Sequence, residues 1–330
     1  MLNLATNYLG LPVRTPFIVG ASPFCENTAV ARQLQDAGAG AIVMRSLFEE
    51  QIDAEALSLV HHTESEAEGF SEATSFFPRF SEYQLSPDRY LRQLESLKRA
   101  LTIPVIASLN GARPGGWTDY ARRFEKAGAD GIELNLYEIT TEPVAGDRVE
   151  ADMVETVRQV VTSVGIPVAV KLSPFHTSLV HFAGQLEEAG AAGVVLFNRF
   201  YQPDFNIEEL VAAPQLALSD RSELLLRLRW LAILAPRMRG SLSATGGVHT
   251  TSDVVKAVLA GATTVQLVSV LLRHGPRFLT TLVHGLRAWL EEHEYQSVDQ
   301  LRGVMSHRRC PDPAAFERAN YIRILQTWRS

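Results

Sequence analysis

Apolar residues in this chain fall into short blocks, and four of those blocks follow the same phrase. A stretch of helical period ends in Ala-Gly-Ala, and an apolar strand begins within three residues. The copies are Ala37-Gly38-Ala39 before AIVMRS, Ala127-Gly128-Ala129 before GIELNL, Ala189-Gly190-Ala191 before GVVLFN and Ala260-Gly261-Ala262 before TVQLVS. The glycine can adopt the left-handed conformation that closes a helix, and its small neighbours let the helix pack close to the next strand. Two further strands open on Ile-Pro-Val, at Ile103 and Ile166.

The pattern predicts strands over 16–22, 41–46, 104–110, 131–137, 167–173, 192–198, 241–247 and 263–269. Between and after them it predicts amphipathic helices over 28–38, 87–101, 117–128, 151–164, 178–190, 223–235, 251–260 and 276–293. Eight strands alternating with helices imply an α/β fold, a (β/α)8 TIM barrel, in preference to an open doubly wound sheet. No Ser/Gly/Pro-rich linker divides the chain, so one domain is expected over 1–330, with 295–330 as a C-terminal extension containing the run RRCPDP. Three excursions leave from strand C-termini, at about 47–86, 138–150 and 199–222. The longest is acidic before its aromatic stretch SFFPRF, which suggests an active-site cover or an oligomer contact.

With 46% hydrophobic residues among 330, the chain can bury a large core. Its net charge of −6 argues against nucleic acid or an anionic membrane as a main partner. Two cysteines, Cys25 and Cys310, exclude a disulfide framework and a multi-cysteine metal site, and no other metal-ligand spacing is visible. No stretch of about 18 apolar residues occurs, and a soluble cytoplasmic protein is expected.

In a barrel of this kind chemistry sits at the strand C-termini. Polar residues collect there: Ser22, Ser46, Asn110, Asn135, Lys171 with Ser173, Asn198, Thr245-Gly246-Gly247 and Ser269. A buried polar group without a partner costs roughly 1–3 kcal/mol, so a set converging on one mouth points to a ligand. Lys171 is the sharpest of them. It stands in the apolar strand PVAVKLS, where an ammonium needs compensation: either a pair with Glu133 on the neighbouring strand, or contact with an electron-rich ring. Gly246-Gly247, followed by the helix at 251–260, resembles a phosphate cradle, completed by Val268 and Ser269 after the eighth strand. His249 either helps hold that phosphate or caps the next helix. His61-His62 reads as solvated loop, and Cys25 as a packed thiol.

On TPFIVGAS, GAIVMRS, GIELNL, PVAVKLS, the strand end at Asn198, ATGGV and AGATTVQLVSVLLRHGP, the chain resembles the soluble class 1 dihydroorotate dehydrogenases, which are FMN-binding barrels. RSLFEEQ, IASLNG, LFNRFYQPD and PDPAAFERA resemble more closely the subgroup called dihydroorotate dehydrogenase-like proteins. The resemblance implies a flavoprotein oxidoreductase of pyrimidine biosynthesis acting on CH–CH groups. It places Ser22, Arg45, Ser46, Asn135, Lys171 and Phe197 along the flavin, with Gly246, Gly247, Val268 and Ser269 on the phosphate. It assigns Asn135, Asn198 and Arg199 to the substrate and Lys171, Arg45 and Glu138 to catalysis.

The departures from that family bear on the substrate. The family's Asn-Leu-Ser-Cys-Pro-Asn motif, whose Cys is the general base, reads Asn135-Leu136-Tyr137-Glu138-Ile139-Thr140 here, and the family's Lys at the second strand is Arg45. The Asn-Ser pair that binds orotate is Asn198-Arg199, and the substrate-loop Asn has no counterpart in Ala73-Thr74-Ser75. Glu and Cys differ in ordinary pKa by roughly four units, so the change bears on dihydroorotate itself. Arg45 and Arg199 suggest a carboxylate- or phosphate-bearing substrate, unless Arg199 is spent on a loop salt bridge, for instance with Asp204.

The expected function is therefore hydride transfer from dihydroorotate, or a related acidic dihydro compound, to FMN. A separate electron-transfer partner and a homodimer are further expectations. Two alternatives stay open: a flavin-binding subunit of a larger redox complex without its own dihydroorotate activity, and a flavin-free barrel for a phosphorylated metabolite.

Overall fold

The protein is described from a computed structural model. The structure describes residues 2–48, 86–111, 117–136, 138–199, 204–213, 217–318 and 320–327. SFFPRF, His61-His62 and Ala73-Thr74-Ser75 lie outside the described residues, as do most of the first excursion and parts of the third.

A short antiparallel hairpin comes first, strands β1 (Thr6–Tyr8) and β2 (Leu11–Val13). The remaining strands are β3 (Phe17–Val19), β4 (Ala41–Val43), β5 (Leu47–Phe48), β6 (Val105–Gly111), β7 (Gly131–Leu136), β8 (Val168–Leu172) and β9 (Gly193–Leu196). After them come β10 (Asp204–Asn206), β11 (Val211–Ala213), β12 (Ser241–Thr245) and β13 (Thr264–Leu267). Eight of these close on themselves in the order β3-β4-β6-β7-β8-β9-β12-β13, every pairing parallel and β13 returning to β3. This is the (β/α)8 barrel that the alternation predicts. β5 extends the second strand along the end of β6, pairing Leu47 with Leu109 and Phe48 with Asn110.

The Ala-Gly-Ala phrases set this geometry locally. Gly38, Gly128, Gly190 and Gly261 all have positive φ. In the first copy the Gly38 amide donates to the Gln35 carbonyl at 3.1 Å and the Ala39 amide to Leu34 at 3.0 Å, the paired bonds that finish a helix with a left-handed glycine. The second and third copies repeat the register, with Ala129 donating to Phe124 and Ala191 to Leu186, each at 3.0 Å.

Side chains alternate across each strand. Outward residues such as Phe17, Ile42, Val105, Leu134, Val170, Leu196 and Val265 form the main core between barrel and helices. Inward residues Ile18, Ala41, Val43, Ile106, Ala169 and Val195 form a second, smaller apolar cluster with Tyr8, Leu9 and Val13 of the first hairpin. The hairpin thus closes the N-terminal end of the barrel, where the Leu9 amide donates to Ser241 Oγ at 2.9 Å. The polar inward residues Ser108, Glu133, Asn135, Lys171, Ser243, Thr264 and Gln266, all buried, lie on the same faces of their strands.

Several elements differ from expectation. The helix expected from 151 begins at Gly146, absorbing part of the second excursion. The last barrel strand ends at Leu267, and Ser269 opens a separate short helix, Ser269–His274. The third excursion contains the antiparallel hairpin β10–β11, whose strands are mostly exposed. The tail carries a short helix Val298–Leu301, a 3-10 turn Pro313–Phe316 and a helix Asn320–Gln326. No described helix is long and apolar enough to cross a membrane.

Candidate active site

A cavity of about 570 Å3 opens at the C-terminal ends of the barrel strands. Its wall gathers most of the polar residues picked out by the sequence: Ser22, Arg45, Ser46, Asn135, Lys171 and Asn198 on one arc, Thr245, Gly246, Gly247 and Ser269 on the other. Phe197, Val268 and Arg199 also line it. Glu138 does not; it lies half-buried in the loop after β7 and accepts from Thr140 Oγ1 at 3.4 Å.

At the floor, Lys171 Nζ lies 3.2 Å from Glu133 Oε1, with the Glu133 side chain fully buried and that of Lys171 11% exposed. The register of β7 and β8 pairs Glu133 with Ala169 and Asn135 with Lys171, which brings the two inward side chains together diagonally. Gln266 Nε2 donates to the other carboxylate oxygen at 2.6 Å. Both neighbours of Glu133 are therefore donors, a demand that a carboxylate meets with its two acceptor oxygens. The two readings of Lys171 are not exclusive: its ammonium is paired from below and borders the cavity above.

Asn135 is fixed through its amide nitrogen, which donates to Ser108 Oγ at 2.9 Å, Ser46 Oγ at 3.2 Å and the Leu109 carbonyl at 3.2 Å. Among the described residues, its carbonyl oxygen takes part in no hydrogen bond, and the residue borders the cavity. Ser46 and Ser108 hydroxyls are 2.8 Å apart, and the Tyr90 hydroxyl accepts from the Ser108 amide at 2.8 Å, so the second, third and fourth barrel strands are tied together here. Arg45 pairs with Glu26 at 2.7 Å, and its amide donates to Cys25 Sγ at 3.2 Å. The Cys25 thiol donates in turn to the Ser22 carbonyl at 3.1 Å. Burial, with a smaller push from the Glu26 carboxylate, raises that thiol to about 11; Cys25 is a packed link between Ser22 and Arg45.

The glycine side of the cavity has its own supports. Gly246 and Gly247 have φ of +83° and +80°, and a Cβ on Gly247 would stand 2.4 Å from the Leu224 amide nitrogen. The buried Arg227 donates through Nε to the Thr245 carbonyl at 2.9 Å and pairs with Glu223 at 3.3 Å, bracing the turn from behind. Ser269 Oγ accepts from the Ser219 amide at 3.1 Å and from its hydroxyl at 2.9 Å. The helix Thr251–Ala260 is closed by its own capping box: Asp253 accepts from the Thr250 amide at 2.9 Å and the His249 amide at 3.1 Å. An anion at this side would therefore meet the amides of the glycine turn and of 268–269 rather than those capped groups. His249 serves the cap through its amide. Its imidazole is held below the ordinary histidine range by burial and by the charge of Arg273.

Arg199 is committed to Glu223, at 3.1 Å, and to the Ala217 carbonyl, so the loop salt bridge exists with Glu223 in place of Asp204. The pairing follows from the chain path, since Asp204 stands in the exposed β10 while Glu223 begins the helix packed behind the glycine turn. Gln266, Ser108, Ser219, Arg227 and Glu223 are site or supporting residues that the sequence reading did not single out. Arg227 had a visible signal, one of two charges, with Arg229, inside the otherwise apolar run LLLRLRWLAIL, and Gln266 had a comparable one as the polar residue in TVQLV.

The family model described as dihydroorotate dehydrogenase matches residues 80–290, well over half the chain. The chain belongs to the dihydroorotate dehydrogenase family. A protein named putative dihydroorotate dehydrogenase A (fumarate), from Aeropyrum pernix, is 32% identical over 215 residues, covering 63% of this chain and 69% of that protein. The catalytic subunit of dihydroorotate dehydrogenase B (NAD(+)) from Thermoplasma volcanium is 24% identical over 319 residues, 93% of this chain and all of that one. The NAD-dependent dihydropyrimidine dehydrogenase subunit PreA of Escherichia coli is 23% identical over 327 residues, 94% of this chain and 78% of that protein.

Two observations test whether the cavity fits the flavin that the sequence resemblance implies. Among the described residues, Ser22 Oγ and Gln266 Oε1, both buried and on residues that line the cavity, have no hydrogen-bond partner. Leu224 packs against Gly247 from behind and both glycines have positive φ, so the turn carries no side chain and its backbone forms that part of the cavity wall, open to close approach by a phosphate. The residues present fit.

Proposed function

We propose that the chain is an FMN-dependent oxidoreductase that oxidises dihydroorotate or a related acidic dihydropyrimidine. The observation that carries this is one cavity wall with an ion-paired lysine and an oriented asparagine facing a side-chain-free glycine turn, in a chain of the dihydroorotate dehydrogenase family. Bound FMN supplies the hydride acceptor. Gly246, Gly247, Val268 and Ser269 would hold its phosphate, while Ser22, Ser46 and Asn135 would contact its ring system. Lys171, held in place by Glu133, presents a positive charge to the electron-rich part of the ring, which favours acceptance of a hydride. Phe197, with its ring 6.0 Å from the Arg227 guanidinium, closes the apolar side of the pocket.

Asn198 and the carbonyl end of Asn135 would orient the substrate; Arg45 and Arg199, already paired with Glu26 and Glu223, would meet its carboxylate only by giving up those partners. Glu138 is the proposed proton acceptor. Because it stands outside the cavity wall, it serves only when its loop folds inward over the substrate. Electrons would leave through a partner protein. This reading is supported by the relatives from Thermoplasma volcanium and Escherichia coli, whose names describe each as one subunit of an NAD-dependent dehydrogenase. A cytoplasmic homodimer completes the proposal, supported by the exposed Phe205, Ile207, Leu210 and Val211 of the β10–β11 hairpin region.

The test is FMN titration of the purified chain and of Lys171→Ala and Glu138→Gln. Lys171→Ala should weaken FMN and slow its reduction, whereas Glu138→Gln should bind FMN normally and lose turnover. Unchanged FMN affinity and reducibility in Lys171→Ala would overturn the assigned lysine role.

A further inference from the structure

The opposite end of the barrel carries a second cleft, of about 670 Å3, formed where the tail crosses the N-terminal ends of β9, β12 and β13. Asn7 and Gly10 of the first hairpin form one edge, and the segment 302–309 forms the other. Arg239, Arg302, Arg308 and Arg309 line it, and among the described residues no carboxylate does. That sign is opposite to the chain's overall charge of −6. Arg302 pairs with Asp299 at 3.2 Å. Among the described residues, the side chains of Arg239, Arg308 and Arg309 have no ion pair or hydrogen bond.

The tail is anchored where these arginines arise, so their convergence is built into the fold. The Gly303 amide donates to the Val258 carbonyl at 2.9 Å, Met305 to Leu259 at 2.8 Å and His307 to Ala232 at 2.9 Å. Cys310, immediately after the arginine pair, is buried. Four guanidinium groups held round one cleft repel each other, and a multiply charged anion relieves that repulsion while matching their forked donors. Asn7, Ser241, Thr263 and Ser306 add neutral polar groups to the wall, and among the described residues no aromatic side chain lines it for a base or ring to stack on. The volume lies within the range of small-molecule sites.

We propose that this cleft is a second ligand site, for a small molecule bearing clustered phosphate groups, remote from the cavity at the other end of the barrel. It absorbs the arginine pair of RRCPDP, which the candidate active site leaves unused. The proposal does not rest on the flavin reading.

The test is calorimetric titration of the purified full chain with sodium tripolyphosphate at low ionic strength. Arg308→Glu/Arg309→Glu is compared with Arg122→Glu/Arg158→Glu, a pair that makes the same charge change on exposed helix positions away from the cleft. All four positions are exposed, and circular dichroism checks that each variant keeps its fold. We expect saturable binding that the cleft variant weakens by about tenfold or more, with the charge-matched control within about twofold of the parent. Absence of saturable binding to the parent, or equal weakening by both double variants, would overturn the proposal.

Discussion

Separating Glu133 from Lys171 should expose how the barrel holds a charge in its core. The two groups are 3.2 Å apart and nearly or fully buried. At an effective dielectric constant of about 20, unit charges at that separation attract by about 5 kcal/mol. Glu133→Gln removes the counter-charge and leaves a buried ammonium. Breaking a buried pair in this way costs about 3–5 kcal/mol. Lys171→Met leaves Glu133 with the single donor Gln266, whose Nε2 contacts it at 2.6 Å. In the double variant no unpaired charge remains, and Gln266 can turn its unpartnered Oε1 toward the new amide. The double variant should therefore be more stable than the sum of the single losses by about 3 kcal/mol, the coupling expected of contacting charged residues. Urea unfolding at neutral pH, followed by circular dichroism and by fluorescence, measures each corner of the cycle. Single losses that add to within about 0.5 kcal/mol would show that the pair is not energetically coupled, and the reasoning about the floor of the site would fail.

Other outcomes follow from the same geometry. Cys25, raised to about 11 by burial, should be thiolate only to about one part in ten thousand at pH 7, so native protein should resist iodoacetamide until unfolded. Gly247→Ala imposes a side chain at φ +80° against the Leu224 amide, and should cost about 1–3 kcal/mol in thermal or urea unfolding and weaken FMN further than it weakens the fold. Burial acts to raise the Asp253 carboxyl, but Arg221, Thr250 and His249 outweigh it and hold the group below the ordinary aspartate range. Its contribution is thus complete above about pH 4 and lost as pH falls through the lower folded value. Asp253→Ala should lose about 1 kcal/mol from the helix cap at pH 7, and its deficit in unfolding midpoint should narrow as the pH is taken below about 4.

The barrel was legible because its sequence signals are local and repeated. A helix stop at Ala-Gly-Ala requires a glycine at positive φ, and that requirement is written at four places. The hairpin β1–β2 left no such trace: its strands are three residues each, and its value comes from plugging a barrel whose other walls arrive much later in the chain. The short helix at Ser269 was hidden because TVQLVSVLL continues apolar across the strand end. For the site, polar residues at strand ends could be read, since each interrupts an apolar run. Of the supports, Glu133 could be read as the partner of Lys171 on the neighbouring strand, whereas Gln266 and Ser108 could not be located, because they act through contacts between strands far apart in sequence. Register also explains Arg199, whose partner is set by the helix behind the glycine turn. The loop residue Glu138 matched the family's base position by spacing alone, and spacing does not say that the side chain lines the cavity.

Dihydroorotate oxidation is tested most directly by adding dihydroorotate anaerobically to the FMN-loaded protein and following the flavin's visible absorbance. The oxidised flavin band should bleach with one equivalent of substrate and return on adding an electron acceptor. A protein that takes up no FMN, or whose bound flavin stays oxidised with dihydroorotate and with other acidic dihydropyrimidines, would contradict the proposed function.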